Sequence, residues 1–226
     1  MDIPPVDKTN SLWYSLTQEE RVYLRENAVL QTFRKNQFFY CCGDEPKNLV
    51  CLISGMAKIY KDEIGMNHQQ IIRLAKAGDI FAYRAFLAKE NHRNNAVALE
   101  ISQAYLVPLR VLEQIMHANC RFAMALMQAL AKKLGDADFN LAMLTQKNMR
   151  ERMAQIIILL KNNFGFDNSN NLHAKLSRID LAYLSNMTTS NAIRTLSNFI
   201  AEQLISVDKR TIKILNEEKL KKIAQM

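Results

Sequence analysis

The sequence predicts an α+β fold built from three consecutive parts. Short apolar segments separated by glycine-containing turns predict strands between Val29 and Leu109. An apolar repeat in steps of three and four residues predicts a long helix from Val111 to about Gln146. Two short helical patterns and a pair of strand patterns then close the chain. We therefore expect a β-rich domain, a connecting helix and a smaller C-terminal domain.

The β-rich part follows a predicted N-terminal helix, which runs from Leu12 to about Asn27 with Thr17 as its cap. Four of the six glycines of the chain fall among the predicted strands, at the spacing expected of turns. Many short strands separated by turns are typical of a β-sandwich or barrel. The N-terminal half is therefore expected to enclose its core between sheets.

The predicted long helix carries apolar residues at the 3.5-residue spacing of a coiled coil, which predicts a dimer. A long helix lying on the β domain is the alternative explanation of the same pattern. Gly135 lowers helix stability within this stretch. The predicted dimer seam consists of Ala123, Met127, Leu130, Leu134, Ala137, Leu141 and Leu144.

The C-terminal part contains two short helical patterns separated by a tight turn. Ser177 can cap the first helix and Thr188 the second, and Asn186 between them tolerates the left-handed backbone of a turn. This spacing matches the helix-turn-helix, whose second helix lies in the DNA major groove. The positions of the second helix predicted to face inward are Ala192, Ile193, Leu196, Phe199 and Ile200. The positions predicted to face outward include Thr189, Ser190, Asn191 and Arg194.

A predicted hairpin follows the second helix, with strands near Leu204–Val207 and Thr211–Leu215. From Thr145 onward the chain has 13 Lys and Arg against 7 Asp and Glu, whereas the first 144 residues have 17 against 15. This excess positive charge suits a polyanion-binding domain. Candidate phosphate contacts are Lys175, Arg178, Thr188, Lys209, Arg210 and Lys213. For each charged residue alone, a solvated surface position explains its presence equally well.

Composition excludes several classes of protein. Hydrophobic residues make up 49% of the chain and charged residues 23%, as in globular proteins. Apolar runs stay well short of the roughly 20 residues of a membrane span, and the N-terminus lacks a signal sequence, so we expect a cytoplasmic protein. Neither paired carboxylates, nor a nucleophile–base pair, nor a glycine-rich phosphate loop stands out. The chain is therefore not expected to be an enzyme.

The four cysteines, Cys41, Cys42, Cys51 and Cys120, contain no CxxC spacing. They give little indication of a zinc or iron–sulfur site, and buried reduced thiols are the expected state. No cofactor is predicted. Haem stays open as an alternative, because it needs an axial ligand that a histidine can supply. The four histidines are His68, His92, His117 and His173.

The ordered set of these features resembles the CRP/FNR family of bacterial transcription regulators along nearly the whole chain. The stretches that carry the resemblance are Gly43-Asp44, Ile53–Ala57, Gly65, Ala77–Asp79 and Lys147–Ala154, followed by the helix-turn-helix. The resemblance implies a double-stranded β-roll similar to cyclic-nucleotide-binding domains, a dimerisation helix and a winged helix-turn-helix. The expected domains are residues 1–118, a sensor; residues 119–147, the dimerisation helix and hinge; and residues 148–226, the DNA-binding domain.

The resemblance further implies a homodimer that binds near-palindromic double-stranded DNA, with RNA polymerase and an unidentified small-molecule effector as partners and no membrane. Thr189, Ser190 and Arg194 match the base-reading positions of the family, and a bidentate contact to guanine is the natural role of Arg194. Ser190 replaces the usual acidic residue, so the target sequence of better-known members does not carry over. Asn191 can read adenine.

The effector pocket implied by the resemblance departs from the cyclic-AMP pattern. Tyr83 stands at the position of the ribose-binding Glu, and Asn94-Asn95 replaces the Arg-Ser of the phosphate site. A phosphate left unpaired in a buried site is costly, so cyclic AMP is not expected to bind in the usual mode. Binding through a neighbouring arginine stays open. The remaining candidates are Arg84 and Arg93 near the phosphate site, and Ala137 and Asp138 on the dimer helix.

A different class of function is also consistent with the sequence. The chain can be a haem- or ligand-sensing module whose C-terminal half mediates protein contacts. DNA affinity that falls steeply with salt argues against this alternative, and undetectable DNA binding favours it.

Overall fold

A computed structural model describes residues 11–62 and 69–225 and confirms the α+β class. Gly65 and His68 lie outside the described residues. The chain divides into two compact units, a β-rich unit that ends at Gly135 and a second unit that begins at Asp136. Of the residues described, those numbered 69–71 group with the second unit.

The β-rich unit contains two four-stranded sheets, with strand orders β1-β8-β3-β6 and β2-β7-β4-β5. Buried residues of both sheets, among them Val50 and Leu52 of β3 and Ala57 and Ile59 of β4, form one apolar core. Paired sheets around one core are the β-roll that the resemblance implied. The strands are Val29–Phe33 (β1), Phe38–Tyr40 (β2), Asn48–Ser54 (β3), Met56–Asp62 (β4), Gln69–Lys76 (β5), Ile80–Phe81 (β6), Asn95–Ala98 (β7) and Ser102–Pro108 (β8).

Helices cover one side of the β-roll with a second apolar cluster. Leu112, Phe122 and Leu126 are buried there against Leu49 and Val107 of the sheet. The helices of this part of the chain are Ser11–Tyr14 (α1), Gln18–Asn27 (α2), Tyr83–Leu87 (α3), Leu109–Ala118 (α4) and Cys120–Gln146 (α5).

Two helix boundaries differ from the sequence prediction. Thr17 begins the separate helix α2 through a reciprocal capping box with Glu20, so the predicted N-terminal helix is two helices. The helix predicted from Val111 to about Gln146 is interrupted once, because the backbone becomes extended at Asn119. The Asn119 side chain accepts a hydrogen bond from the Phe122 amide and donates to the Ser15 carbonyl. These bonds cap α5 and anchor its start to the N-terminal segment.

The second unit holds the remaining helices and a two-stranded sheet in which β9 and β10 are antiparallel. Before the helix-turn-helix, an isolated antiparallel bridge pairs Phe166 with Leu172. Among the described residues, we find no helix with the length and apolar character that crossing a membrane requires. The elements are Met149–Phe164 (α6), Arg178–Leu184 (α7), Thr189–Ala201 (α8), Ile205–Asp208 (β9), Thr211–Ile214 (β10) and Glu217–Gln225 (α9).

The turn between β3 and β4 requires glycine for two reasons. Gly55 has a φ of +83°, in the left-handed region that side chains rarely adopt. A Cβ at this position would lie 2.3 Å from Ser102 Oγ and 2.7 Å from the Ile101 carbonyl oxygen. The backbone at Gly55 therefore lies closer to Ile101 and Ser102 than a residue with a Cβ atom permits.

We predict that Gly55→Ala destabilises the β-rich unit more than Gly43→Ala does. Gly43 has a similar φ of +91°, but a Cβ there would meet nothing within 4 Å. Both changes incur about 1–2 kcal/mol for the left-handed backbone, and Gly55→Ala adds roughly 1–3 kcal/mol of overpacking. Urea unfolding followed by the fluorescence of buried Trp13 measures both. Equal midpoints for the two variants would contradict the close approach.

Candidate nucleic-acid interface

The helix-turn-helix of α7 and α8 forms because each boundary has a local cap. Ser177 Oγ accepts a hydrogen bond from the Asp180 amide at 3.0 Å, and Thr188 Oγ1 accepts one from the Asn191 amide at 3.3 Å. Asn186 adopts a φ of +50° in the turn. The predicted left-handed asparagine and both predicted caps are confirmed.

The inward face of α8 consists of buried Ala192, Thr195, Leu196 and Phe199. Thr195 satisfies its hydroxyl by donating to the Asn191 carbonyl oxygen at 2.9 Å. Three of the five residues predicted to face inward are confirmed. The other two, Ile193 and Ile200, are 47% and 43% exposed, because they lie beyond the edge of the buried stripe.

The base-reading candidates lie together on the first half of α8. Ser190 and Arg194 are exposed, whereas Thr189 and Asn191 are half-buried. Arg194 Nη2 donates to Asn191 Oδ1 at 2.9 Å, so the Asn191 oxygen is engaged in orienting the guanidinium. This contact uses one of the five N–H donors of the exposed arginine.

The phosphate candidates lie around the same unit. Lys209 and Arg210 are exposed at the hairpin turn, where Lys209 has a φ of +51°. Lys175 is exposed and Lys213 half-buried. Arg178 is half-buried, and its Nη1 lies buried without a hydrogen-bond partner. The hairpin therefore presents two adjacent cations, as the sequence predicted for a wing.

Helix α6 fixes the far end of α8 through Arg150. This guanidinium bonds both carboxylate oxygens of Glu202 at 2.7 and 2.5 Å, and its Cζ lies 4.9 Å from the centroid of the Phe199 ring. The hydrogen bond from Arg150 holds the pKa of Glu202 below its ordinary value. No sequence pattern indicates this role of Arg150, although the residue lies within the stretch Lys147–Ala154 that resembles the family.

A second arginine of α6 joins the turn of the helix-turn-helix to the end of α5. Arg152 Nη2 donates to the Asn186 carbonyl at 3.2 Å, and Nη1 donates to the carbonyls of Leu144 and Lys147 at 3.3 and 3.1 Å. Asn148 caps α6 in a reciprocal capping box with Glu151. The predicted break between the long helix and the DNA-binding part is therefore a two-residue connection braced by one guanidinium.

The sensor candidate Tyr83 is engaged within the β-rich unit. Its side chain is 2% exposed, and its hydroxyl oxygen accepts a hydrogen bond from Lys133 Nζ of α5 at 2.9 Å. Lys133 also donates to the Ile80 carbonyl at 3.1 Å and lies 4.7 Å from the Tyr83 ring centroid. Burial raises the pKa of Tyr83 to about 12, so the phenol is neutral at pH 7.

The other polar pocket candidates are also paired. Asn94 Oδ1 accepts a hydrogen bond from the Tyr40 hydroxyl at 2.9 Å. Asn95 accepts from the Cys42 amide at 2.7 Å and donates to an Asp62 carboxylate oxygen at 2.7 Å. The candidate arginines Arg84 and Arg93 both form ion pairs with Glu90.

The described histidines and cysteines differ in burial and in their partners. His92 stacks on Tyr40 with ring centroids 3.8 Å apart, and burial lowers its pKa, so it is neutral at pH 7. His117 and His173 are exposed. The expectation of buried thiols is wrong for Cys42 and Cys120, which are exposed. Within residues 11–62 and 69–225, no group of three or more His, Cys, Asp or Glu side chains can hold a metal ion.

The predicted seam residues on α5 differ in their exposure. Met127, Leu134 and Leu141 are 53%, 64% and 62% exposed. Leu130 is half-buried and packs against the core of the β-rich unit. Ala123 and Leu144 are half-buried, and Ala137 and Asp138 are exposed.

Two family models match the chain. A cyclic nucleotide-binding domain matches residues 30–119, and a Crp-like helix-turn-helix domain matches residues 151–223. The fumarate and nitrate reduction regulatory protein of Vibrio cholerae is 26% identical over 213 residues, covering 92% of this chain and 82% of that one. The protein of the same name from Yersinia pestis is 28% identical over 216 residues, which cover 93% of this chain and 83% of that one. This chain belongs to the CRP/FNR family of transcription regulators.

Solved structures share the fold of this CRP/FNR protein. FixK2 from Bradyrhizobium japonicum superposes with a TM-score of 0.79 at 21% identity, covering 87% of this chain and 96% of that one. A CooA mutant from Carboxydothermus hydrogenoformans gives a TM-score of 0.76 at 19% identity, covering 99% and 100%.

Membership of the CRP/FNR family assigns the helix-turn-helix to DNA binding and the chain to transcription regulation. The relatives are regulators and not enzymes, which confirms the prediction that this chain is not an enzyme.

Proposed function

We propose that this CRP/FNR protein is a cytoplasmic, homodimeric regulator that reads a near-palindromic DNA site through helix α8. The observation that carries the proposal is the arrangement of α8. Its buried stripe fixes the helix on its own unit, while Ser190 and Arg194 face solvent near the helix N-terminus. Recognition helices present this end to base edges in the major groove.

Arg194 is the principal base-reading residue in this proposal. The 2.9 Å hydrogen bond to Asn191 restricts the guanidinium before DNA arrives, which lowers the entropy lost on binding. A guanidinium can donate two parallel hydrogen bonds to O6 and N7 of guanine. Lys209 and Arg210 on the hairpin are proposed to contact phosphates, together with Lys175, Arg178, Thr188 and Lys213.

We predict that Arg194→Ala loses specific binding and keeps non-specific binding. Duplex sites selected from a random library by the wild-type protein supply the target, and fluorescence anisotropy measures affinity across a salt series. Specific affinity should fall by about 1–3 kcal/mol per half-site. Non-specific affinity should keep most of its steep salt dependence, because other cations contact the phosphates.

Arg34→Ala is the matched control, because it removes the same charge from an exposed position in the β-rich unit. This variant should bind the selected site as the wild type does. An Arg194→Ala protein with unchanged affinity and specificity would remove the base-reading role.

The proposed dimer uses the exposed face of α5. Met124, Met127, Leu134 and Leu141 are all more than half exposed and follow heptad spacing, with exposed Ala131 in the same register. Solvent-exposed apolar side chains in a continuous stripe indicate a covering partner. A second copy of the same helix can cover these apolar side chains, because an interface on a two-fold axis is self-complementary.

We predict that Leu134→Glu dissociates the dimer. Two leucines leave the interface, each contributing about 1.5–3 kcal/mol when fully buried, and two carboxylates would face each other. Analytical ultracentrifugation should show the dissociation constant rising by about a hundredfold or more. Leu215→Glu is the control, because Leu215 is 52% exposed but lies outside α5. Equal sedimentation of the wild type and Leu134→Glu would place the interface elsewhere.

The β-rich unit is proposed as a sensor that does not bind cyclic AMP in the usual mode. Tyr83 is buried and bonded to Lys133, so it cannot hold a ribose hydroxyl as a carboxylate does. Asn94 and Asn95 carry no charge to pair with a phosphate. Arg84 and Arg93 already pair with the same carboxylate.

We predict no saturable heat when the full chain is titrated calorimetrically with cyclic AMP up to about 1 mM, which corresponds to binding weaker than about −4 kcal/mol. The double variant Arg84→Gln/Arg93→Gln is the control for binding through the neighbouring arginines. If the wild type binds saturably and the double variant does not, Arg84 and Arg93 bind the phosphate of cyclic AMP. Saturable binding by both proteins would show that the usual pocket works without its arginine.

A further inference from the structure

The outward face of the recognition helix contains an apolar side chain that the proposed function leaves unused. Ile193 is 47% exposed and directly precedes Arg194. Its neighbours on this face, one helical turn before and after, are the exposed hydroxyl residues Ser190 and Ser197. A large branched side chain therefore stands among polar groups at the position where base edges are read.

The position of Ile193 along α8 determines what it can reach. It is the fifth residue of a helix that begins at Thr189, so it lies about 6 Å from the helix start. Ile200 is similarly exposed but lies seven residues, about 10 Å, further from the N-terminus. Because the N-terminal residues of a recognition helix contact bases, Ile193 can enter the groove while Ile200 stays near its rim.

The chemistry of the major groove supplies one apolar partner for such a side chain. Thymine carries a C5 methyl group there, whereas the other base edges present donors and acceptors. Isoleucine has neither donor nor acceptor on its side chain, so a polar base edge opposite it would lose hydrogen bonds to water. An exposed isoleucine beside an arginine thus suits a thymine beside a guanine.

We propose that Ile193 is a specificity-determining residue that contacts the C5 methyl of a thymine next to the guanine bound by Arg194. This inference rests on the proposed function, since it names a further base of the same site. Burial of one methyl group contributes roughly 0.8 kcal/mol, which is about a fourfold change in affinity per half-site. Across both half-sites of a dimer the effect is about fifteenfold.

The test removes single methyl groups from the DNA. The full-length protein selects its site from a random duplex library, and each thymine of both half-sites is then replaced by deoxyuridine, which lacks only the methyl. Wild-type affinity should fall about fifteenfold for one symmetric thymine pair beside the Arg194-dependent guanine. Ile193→Ala should bind the thymine and uracil versions of that site equally.

Ile200→Ala is the matched control and should keep the full thymine dependence. Ile193→Val should keep part of it, and normal folding of each variant is checked by circular dichroism. If every uracil replacement affects wild type and Ile193→Ala alike, or if Ile200→Ala also loses the dependence, the methyl contact is refuted while the regulator stands. If no duplex is enriched, the proposed function itself fails, and this inference with it.

Discussion

The geometry of the DNA-binding unit depends on the Arg152 guanidinium. Its N–H groups bond the carbonyls of Leu144 in α5, of Lys147 in the connection that follows α5, and of Asn186 in the turn of the helix-turn-helix. Charged donors make stronger hydrogen bonds than neutral ones, and these three acceptors lie in three different segments of the chain. Movement of the connection between α5 and α6 must therefore break these bonds or carry the turn with it. Because Arg150 restrains the other end of α8, helix α6 orients the recognition helix at both ends.

The sequence predicted those parts of the structure that depend on interactions between residues close together in the chain. The helix-turn-helix was predictable, because Ser177, Asn186 and Thr188 act on their own backbone or on residues within one turn. The break at Asn119 was not, because its side chain bonds Ser15, about a hundred positions earlier in the chain. Periodicity alone likewise treats an isoleucine as a core residue, and only the packed unit shows which isoleucines lie beyond the edge of the buried stripe.

The candidate sensor site was likewise predictable only in part. The sequence identified Tyr83, Asn94 and Asn95 as departures from the cyclic-AMP pattern, since that comparison needs only residue types. It could not show that Lys133 of α5 bonds the Tyr83 hydroxyl, because the partners lie fifty positions apart. The charged hydrogen bond from Lys133 to this buried phenol joins the β-roll to α5. An effector that entered between them would therefore have to replace this contact, and its binding would be coupled to the position of the helix.

The sequence of α5 fits two heptad registers, and only the packing of the helix distinguishes between them. Apolar residues occupy two neighbouring heptad registers, one through Leu130 and one through Ala131, so periodicity fits both. Leu130 packs on the core of its own unit, whereas Ala131 is exposed, so the proposed dimer uses the register of Ala131. This register continues to Asp138, four residues after Leu134. A two-fold axis along the seam would bring two Asp138 carboxylates together, and like charges that lose water oppose association. In the proposed dimer, the exposed leucines would favour association and Asp138 would oppose it, so the net stability of the interface depends on the balance of these two contributions.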